Sequence, residues 1–154
     1  MVSIILTITG IVLLVAGPII AVRGLAGRRA IIQELAEQRI SFPAREELPD
    51  RLARYAGAQV RTGDQAKAYS DLIAAHVTKA TGGRTYAEIA DELKTSGRTD
   101  ERLAKLREMA FMGQTLRGAL LGAYQAWQIT LLALGLAGLF TITGLAFLAW
   151  ALLG

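Results

Sequence analysis

One histidine, His76, and two pairs of adjacent carboxylates, Glu46-Glu47 and Asp91-Glu92, are the side chains from which proton transfer or metal binding would have to be built. Neighbouring residues of a helix point about 100° apart, so neither pair converges on a substrate and both read as solvated faces. Cysteine is absent, which excludes disulfides, thiolate metal ligands and a cysteine nucleophile. No GxSxG, HExxH or paired metal-ligand spacing occurs. His76 falls in helical rows with Tyr69, Leu72, Ile73, Val77 and Ala80. That register predicts a core histidine hydrogen-bonded by its neighbours rather than a reactive one. The expectation is a protein that is not an enzyme and that carries no cofactor or metal.

The same stretch is rich in signals that position helices. Asp64 is an expected N-cap for the helix carrying Tyr69 and His76, and Gly82-Gly83 supplies the left-handed backbone that ends it. Thr85-Tyr86-Ala87-Glu88 has capping-box spacing, with Ile89 and Leu93 on the buried side of the helix that follows. A glycine pair before a helix can also hold an anion, but here neither a preceding strand nor a P-loop lysine accompanies it. Upstream, Ile31, Ile32, Leu35 and Ala36 mark an amphipathic segment stopped by Ser41-Phe42-Pro43. Asp50 is then expected to cap a short helix carrying Leu52 and Tyr55 that ends near Gly57. Downstream, Thr95-Ser96-Gly97-Arg98 reads as a loop. Thr99 or Asp100 opens a helix whose Leu103, Leu106, Ala110 and Gly113 lead toward the C-terminal apolar segment. No stretch alternates with period two over a strand's length, so the fold class is all-α.

All 17 lysines and arginines, and all 13 carboxylates, lie between Arg23 and Arg117. The flanks, residues 1–22 and 118–154, carry no formal side-chain charge, and each exceeds the roughly 20 apolar residues that cross a hydrocarbon layer as a helix. The chain therefore divides into a first transmembrane helix (1–22), a helical extramembrane insert (23–117) and a second transmembrane helix with an interfacial extension (118–154), a hairpin of two spans around a small polar unit. Arg23, Arg28 and Arg29 follow the first apolar run, as in an uncleaved anchor and unlike a signal peptide. The net charge of +4 is dispersed among mixed signs, so no nucleic-acid partner is expected.

Small residues recur every seven positions in both flanks: Ser3, Gly10, Gly17 and Gly24 in one, and Ala123, Thr130, Ala137 and Gly144 in the other. Such stripes let membrane helices approach closely, and a period of seven implies a crossing near +20°. The two spans are expected to pack along them. Gly118, Gly122 and Ala126 form a second small-residue row on another face, available to another copy or another subunit. Pro18 is expected to kink the first span. Tyr124 and Trp127 at one end and Trp150 at the other mark interfacial belts, which puts the hydrocarbon portion of the second span near residues 129–148, with Gln125 and Gln128 among the headgroups. Neither span contains Asp, Glu, Lys, Arg or His, which argues against a self-sufficient proton or ion pathway.

The run Ala80-Thr81-Gly82-Gly83-Arg84-Thr85-Tyr86-Ala87-Glu88, with Tyr69, His76 and a following apolar span, resembles small two-span membrane proteins of actinobacteria. Many of those are labelled aromatic-ring-opening dioxygenases. That label implies a non-haem iron held by two histidines and a carboxylate, which a chain with one histidine cannot supply. The resemblance also implies an insert outside the cytoplasm, because such proteins carry basic residues at both termini. Here Arg23, Arg28, Arg29, Arg39, Arg102, Lys105, Arg107 and Arg117 flank the spans on the insert side and no Lys or Arg lies on the other, which favours a cytoplasmic insert in a plasma-membrane protein. The expected role is an accessory or scaffolding subunit of a larger inner-membrane complex, respiratory or transport, with lipid and other membrane subunits as partners. The alternative is a homo-oligomer that binds lipid or a small ligand at the membrane surface.

Overall fold

The computed structural model describes residues 2–97 and 99–153, so Arg98, at the end of the expected loop, lies outside the described residues, as do the first and last residues of the chain. The described residues are helical, with two long apolar helices and no strand. Helix α1 spans Val2–Glu37, α2 Gly63–Thr81, α3 Tyr86–Thr95 and α4 Glu101–Leu153. Two short 3-10 segments, Arg45–Glu47 and Asp50–Tyr55, lie between α1 and α2. At 1.5 Å per residue, the 36 residues of α1 extend about 54 Å and the 53 of α4 about 80 Å. Asp100 opens α4, its Oδ1 accepting from the amides of Arg102 (2.9 Å) and Leu103 (3.1 Å). From there α4 runs unbroken through the apolar flank. Helix α1 likewise continues through Pro18, whose side is exposed.

The chain forms two compact units, one of α1 through Glu34 with α4 from Ala126 onward, the other Leu35–Gln125. The charge boundaries at residues 22/23 and 117/118 lie elsewhere: the first unit follows α1 past its apolar flank to Glu34, whereas on α4 residues 118–125 of the apolar flank belong to the second unit.

In the second unit, α1 ends where Arg39 takes a left-handed φ of 53° and Pro43 approaches. The chain then makes a short antiparallel pairing: the Phe42 amide donates to the Ala58 carbonyl (2.9 Å) and the Val60 amide to the Ile40 carbonyl (2.8 Å). Gln59 donates from Nε2 to the Ala36 carbonyl (3.0 Å), satisfying one of the open acceptors at the end of α1. Phe42, buried, stacks on Tyr55 and meets Tyr69 edge-on, each at 5.1 Å between ring centres. A second apolar cluster joins Ile89 and Leu93 of α3 to Leu103 and Ala110 of α4. Gly113 lets α2 lie against α4, since a Cβ there would collide with Val77 Cγ2.

Three expected local details differ. Helix α2 is capped by Thr62, not Asp64: Thr62 Oγ1 accepts from the Gln65 amide (3.3 Å) while Gln65 Oε1 accepts from the Thr62 amide (3.0 Å). This reciprocal box satisfies two donors where Asp64 would satisfy one, and Asp64 instead sits in the first turn, favoured by the helix dipole. Asp50 caps nothing, because Arg45 engages its carboxylate at 2.8 Å. His76 lies on the surface of α2 and not in its core, as does Ala80. Burial of α2 is concentrated in its first half, at Ala66, Ala68, Ser70 and Leu72.

Candidate functional site

Within the first unit the small-residue stripes of α1 and α4 face each other with backbone-level contact. A Cβ at Gly144 would stand 2.8 Å from the Gly10 carbonyl oxygen and 3.0 Å from the Leu14 amide nitrogen. One at Gly17 would meet Thr141 Oγ1 and, at 3.0 Å, the Ala137 carbonyl oxygen. Gly24 faces Ala133 and Leu134, and Gly27 takes the place opposite Thr130. Gly10, Gly17, Gly24, Thr130, Ala137 and Gly144 are all buried, whereas Ala123, half-buried, belongs to the second unit. Close backbone approach of this kind permits Cα–H···O contacts and dense van der Waals packing, the terms that hold helices together in lipid.

Trp127, expected in an interfacial belt, is turned inward. It is only 4% exposed, with the Arg28 guanidinium 4.1 Å from its ring centre. The indole thus fills the seam between the helices, and the arginine lies over its electron-rich face. Trp150, by contrast, is 72% exposed.

Gly118 and Gly122 are exposed, and among the described residues no atom lies near enough to contact an added Cβ; Ala126 is half-buried. This row is open along α4.

The residues of the Tyr69–Glu88 pattern do not converge. Tyr69 packs on Phe42 and His76 faces solvent. Gly82 (φ 64°) and Gly83 (φ 83°) terminate α2, the Gly83 amide returning to the Thr78 carbonyl at 2.8 Å. Thr85 and Glu88 close the capping box of α3: the Thr85 amide donates to Glu88 Oε2 (2.6 Å) and the Glu88 amide to Thr85 Oγ1 (3.3 Å). The Thr85 amide and then its hydroxyl hold the Glu88 carboxyl below the usual glutamate range, with a smaller contribution from Arg84. Tyr86 turns outward against Phe111 at 5.9 Å. The pattern therefore builds a helix boundary. Among the described residues no three His, Asp or Glu side chains gather in a way that could hold a metal ion.

A feature with no counterpart in the sequence patterns is a cleft of about 300 Å³ in the second unit, lined by Arg51, Arg54 and Tyr55, by Asp64, Lys67 and Asp71 of α2, and by Tyr124 of α4. Arg54 lies over the Tyr55 ring at 4.7 Å and donates from Nη2 to the Tyr55 hydroxyl at 2.8 Å. Lys67 Nζ donates to both Asp71 oxygens at 2.7 Å. The local signal was present in Arg51-x-x-Arg54 followed by Tyr55, but the approach of Tyr124 from more than fifty positions away has no local signature. Compared with family models, with curated proteins and with solved structures, the chain matches none.

Proposed function

We propose that this chain is an integral membrane protein whose α1 and C-terminal α4 cross the bilayer as a hairpin, and that it acts as a non-catalytic accessory or scaffolding subunit of a larger inner-membrane assembly, respiratory or transport. One observation carries the reading. The most apolar windows of α1 and α4 have mean hydropathies of 2.6 and 2.2, yet only 11% of each is buried. The core helix of a water-soluble protein would be covered, whereas these helices present Ile5, Ile8, Val12, Leu132, Leu139 and Ile142 outward. A contiguous aliphatic surface of that kind needs lipid or apolar partner helices. The open Gly118/Gly122 row supports a partner contact, and the absence of Asp, Glu, Lys, Arg and His from the apolar flanks directs the role toward assembly rather than transport.

The hairpin should resist alkaline carbonate extraction, and release into the soluble fraction would overturn the membrane reading. Cross-linked purification from native membranes should recover one defined membrane complex, lost when Gly118 and Gly122 are both replaced by isoleucine. A chain that is monomeric in mild detergent and recovers no stable partner would overturn the accessory role. The homo-oligomeric alternative predicts instead that the same double substitution abolishes self-association of the purified chain.

A further inference from the structure

We propose that the cleft formed by Arg51, Arg54, Lys67 and Tyr124 binds the phosphate of an anionic phospholipid headgroup, so that the insert reads lipid identity at the membrane surface. The inference rests on the membrane location of the hairpin. Two guanidinium groups and an ammonium line the cleft, and among the described residues neither Arg51 nor Arg54 has a carboxylate within 4 Å, whereas Arg45 and Arg84 are paired at 2.8 and 2.7 Å. Arg54 is held in place by Tyr55, an aromatic ring and a hydroxyl, which orient the fork without neutralising it. The remaining N–H groups of both arginines are free to bind phosphate oxygens in the bidentate manner that suits guanidinium. Two carboxylates also line the cleft: Asp71 is occupied by Lys67, and Asp64 is exposed on the first turn of α2, where the helix dipole offsets its charge. The cleft thus keeps a net positive charge, and buried Leu52 and Ala68 give it an apolar wall.

Depth along α4 selects a lipid over a free phosphate ester. Tyr124 precedes Ile129, the first residue after the last amide side chain, Gln128, by five residues, or about 7.5 Å of helix. The headgroup layer outside the hydrocarbon is roughly 5–8 Å thick on each side, so the α4 wall of the cleft stands at the level of the phosphates.

The test uses the full chain in nanodiscs of phosphatidylcholine alone and with about one-fifth phosphatidylglycerol, the anionic lipid retained on mild release being counted by native mass spectrometry. Wild type should retain phosphatidylglycerol, and R51Q/R54Q should retain about tenfold less. R102Q/K105Q, which removes two exposed cations outside the cleft, should retain it undiminished. Should the double variant melt at lower temperature than wild type, the single R51Q change carries the comparison, because Arg51 is exposed and, among the described residues, its side chain has no hydrogen-bond partner. Equal retention by wild type and the cleft variant, or equal loss in both variants, would overturn the proposal while leaving the hairpin intact. Failure of wild type to enter nanodiscs would overturn both readings. Millimolar glycerol phosphate that stabilises the detergent-solubilised chain through Arg51 and Arg54, with no preference for phosphatidylglycerol, would overturn the lipid assignment in favour of a soluble phosphate ester.

Discussion

A methyl group added at position 144 would press on the Gly10 carbonyl oxygen at 2.8 Å and the Leu14 amide nitrogen at 3.0 Å, atoms that cannot rotate aside. At position 24 the same methyl would meet the end of the Leu134 side chain at 3.3 Å, which can yield. Gly144→Ala should therefore destabilise the hairpin by about 1–3 kcal/mol, the range for overpacking. Gly24→Ala should be nearly neutral. Unfolding of the purified protein in a titration of mild detergent with dodecyl sulfate checks the order, and equal midpoints for the two variants would contradict the backbone contact. Glu88 presents a residue-scale effect of another kind. Its carboxylate accepts from the Thr85 amide, and its pKa is lowered on folding. The linked stabilisation is then fully present above the unfolded glutamate value of about 4.3 and is lost as pH falls through the lower folded value. The carboxyl carbon resonance of Glu88 should titrate below that of an unfolded glutamate, and protection of the Thr85 amide should fall through the same pH interval. Glu88→Ala should remove both effects.

At the scale of elements, α2 and α4 meet where Gly113 accepts Val77. Valine in a helix keeps essentially one χ1 rotamer, so it cannot easily turn away from a new methyl group. Gly113→Ala should lower thermal stability despite the roughly 1 kcal/mol that alanine gains over glycine in helix propensity. Val77→Ala in the same chain should restore it, with a coupling of about 0.5–3 kcal/mol in the double-mutant cycle. Additive effects would show that the contact is absent. The elements that could be read from sequence were those with self-contained signals: the Thr85–Glu88 box, the Gly82-Gly83 stop, the unbroken α4 and the all-helical composition. Where two local chemistries competed, sequence chose wrongly. Thr62 and Asp64 can each cap α2, and only the position of Gln65 decides between them; Asp50 can cap a turn, but Arg45 claims it first. His76 shares its helical rows with Ile73, yet α2 is covered chiefly along its first half, a limit that periodicity does not encode. The Trp127–Arg28 contact and the Tyr124 wall of the cleft depend on partners far away in the chain, and no local pattern announces them.

For the whole molecule, the proposed hairpin would make the confinement of every Asp, Glu, Lys, Arg and His to residues 23–117 an orientation signal. Eight basic residues stand near the apolar flanks on the insert side and none on the other, and moving such charges across an energised membrane is what the positive-inside bias resists. Arg28 does not weaken this bias by lying over Trp127, since a guanidinium on an aromatic face keeps its full charge. The resemblance expected from the Ala80–Glu88 run would imply the opposite, an insert outside the cytoplasm, and experiment separates the two expectations. The natural chain has no cysteine, which makes a single Ala75→Cys change at an exposed position of α2 an unambiguous probe. With a cytoplasmic insert, a membrane-impermeant maleimide should label that cysteine in right-side-out vesicles only after the membrane is opened. Labelling of sealed vesicles would place the insert outside. In that case, adding two lysines directly after Met1 should not raise the labelled fraction, because the orientation would already oppose the charge bias and be set by the folded insert rather than by the arginines that flank it.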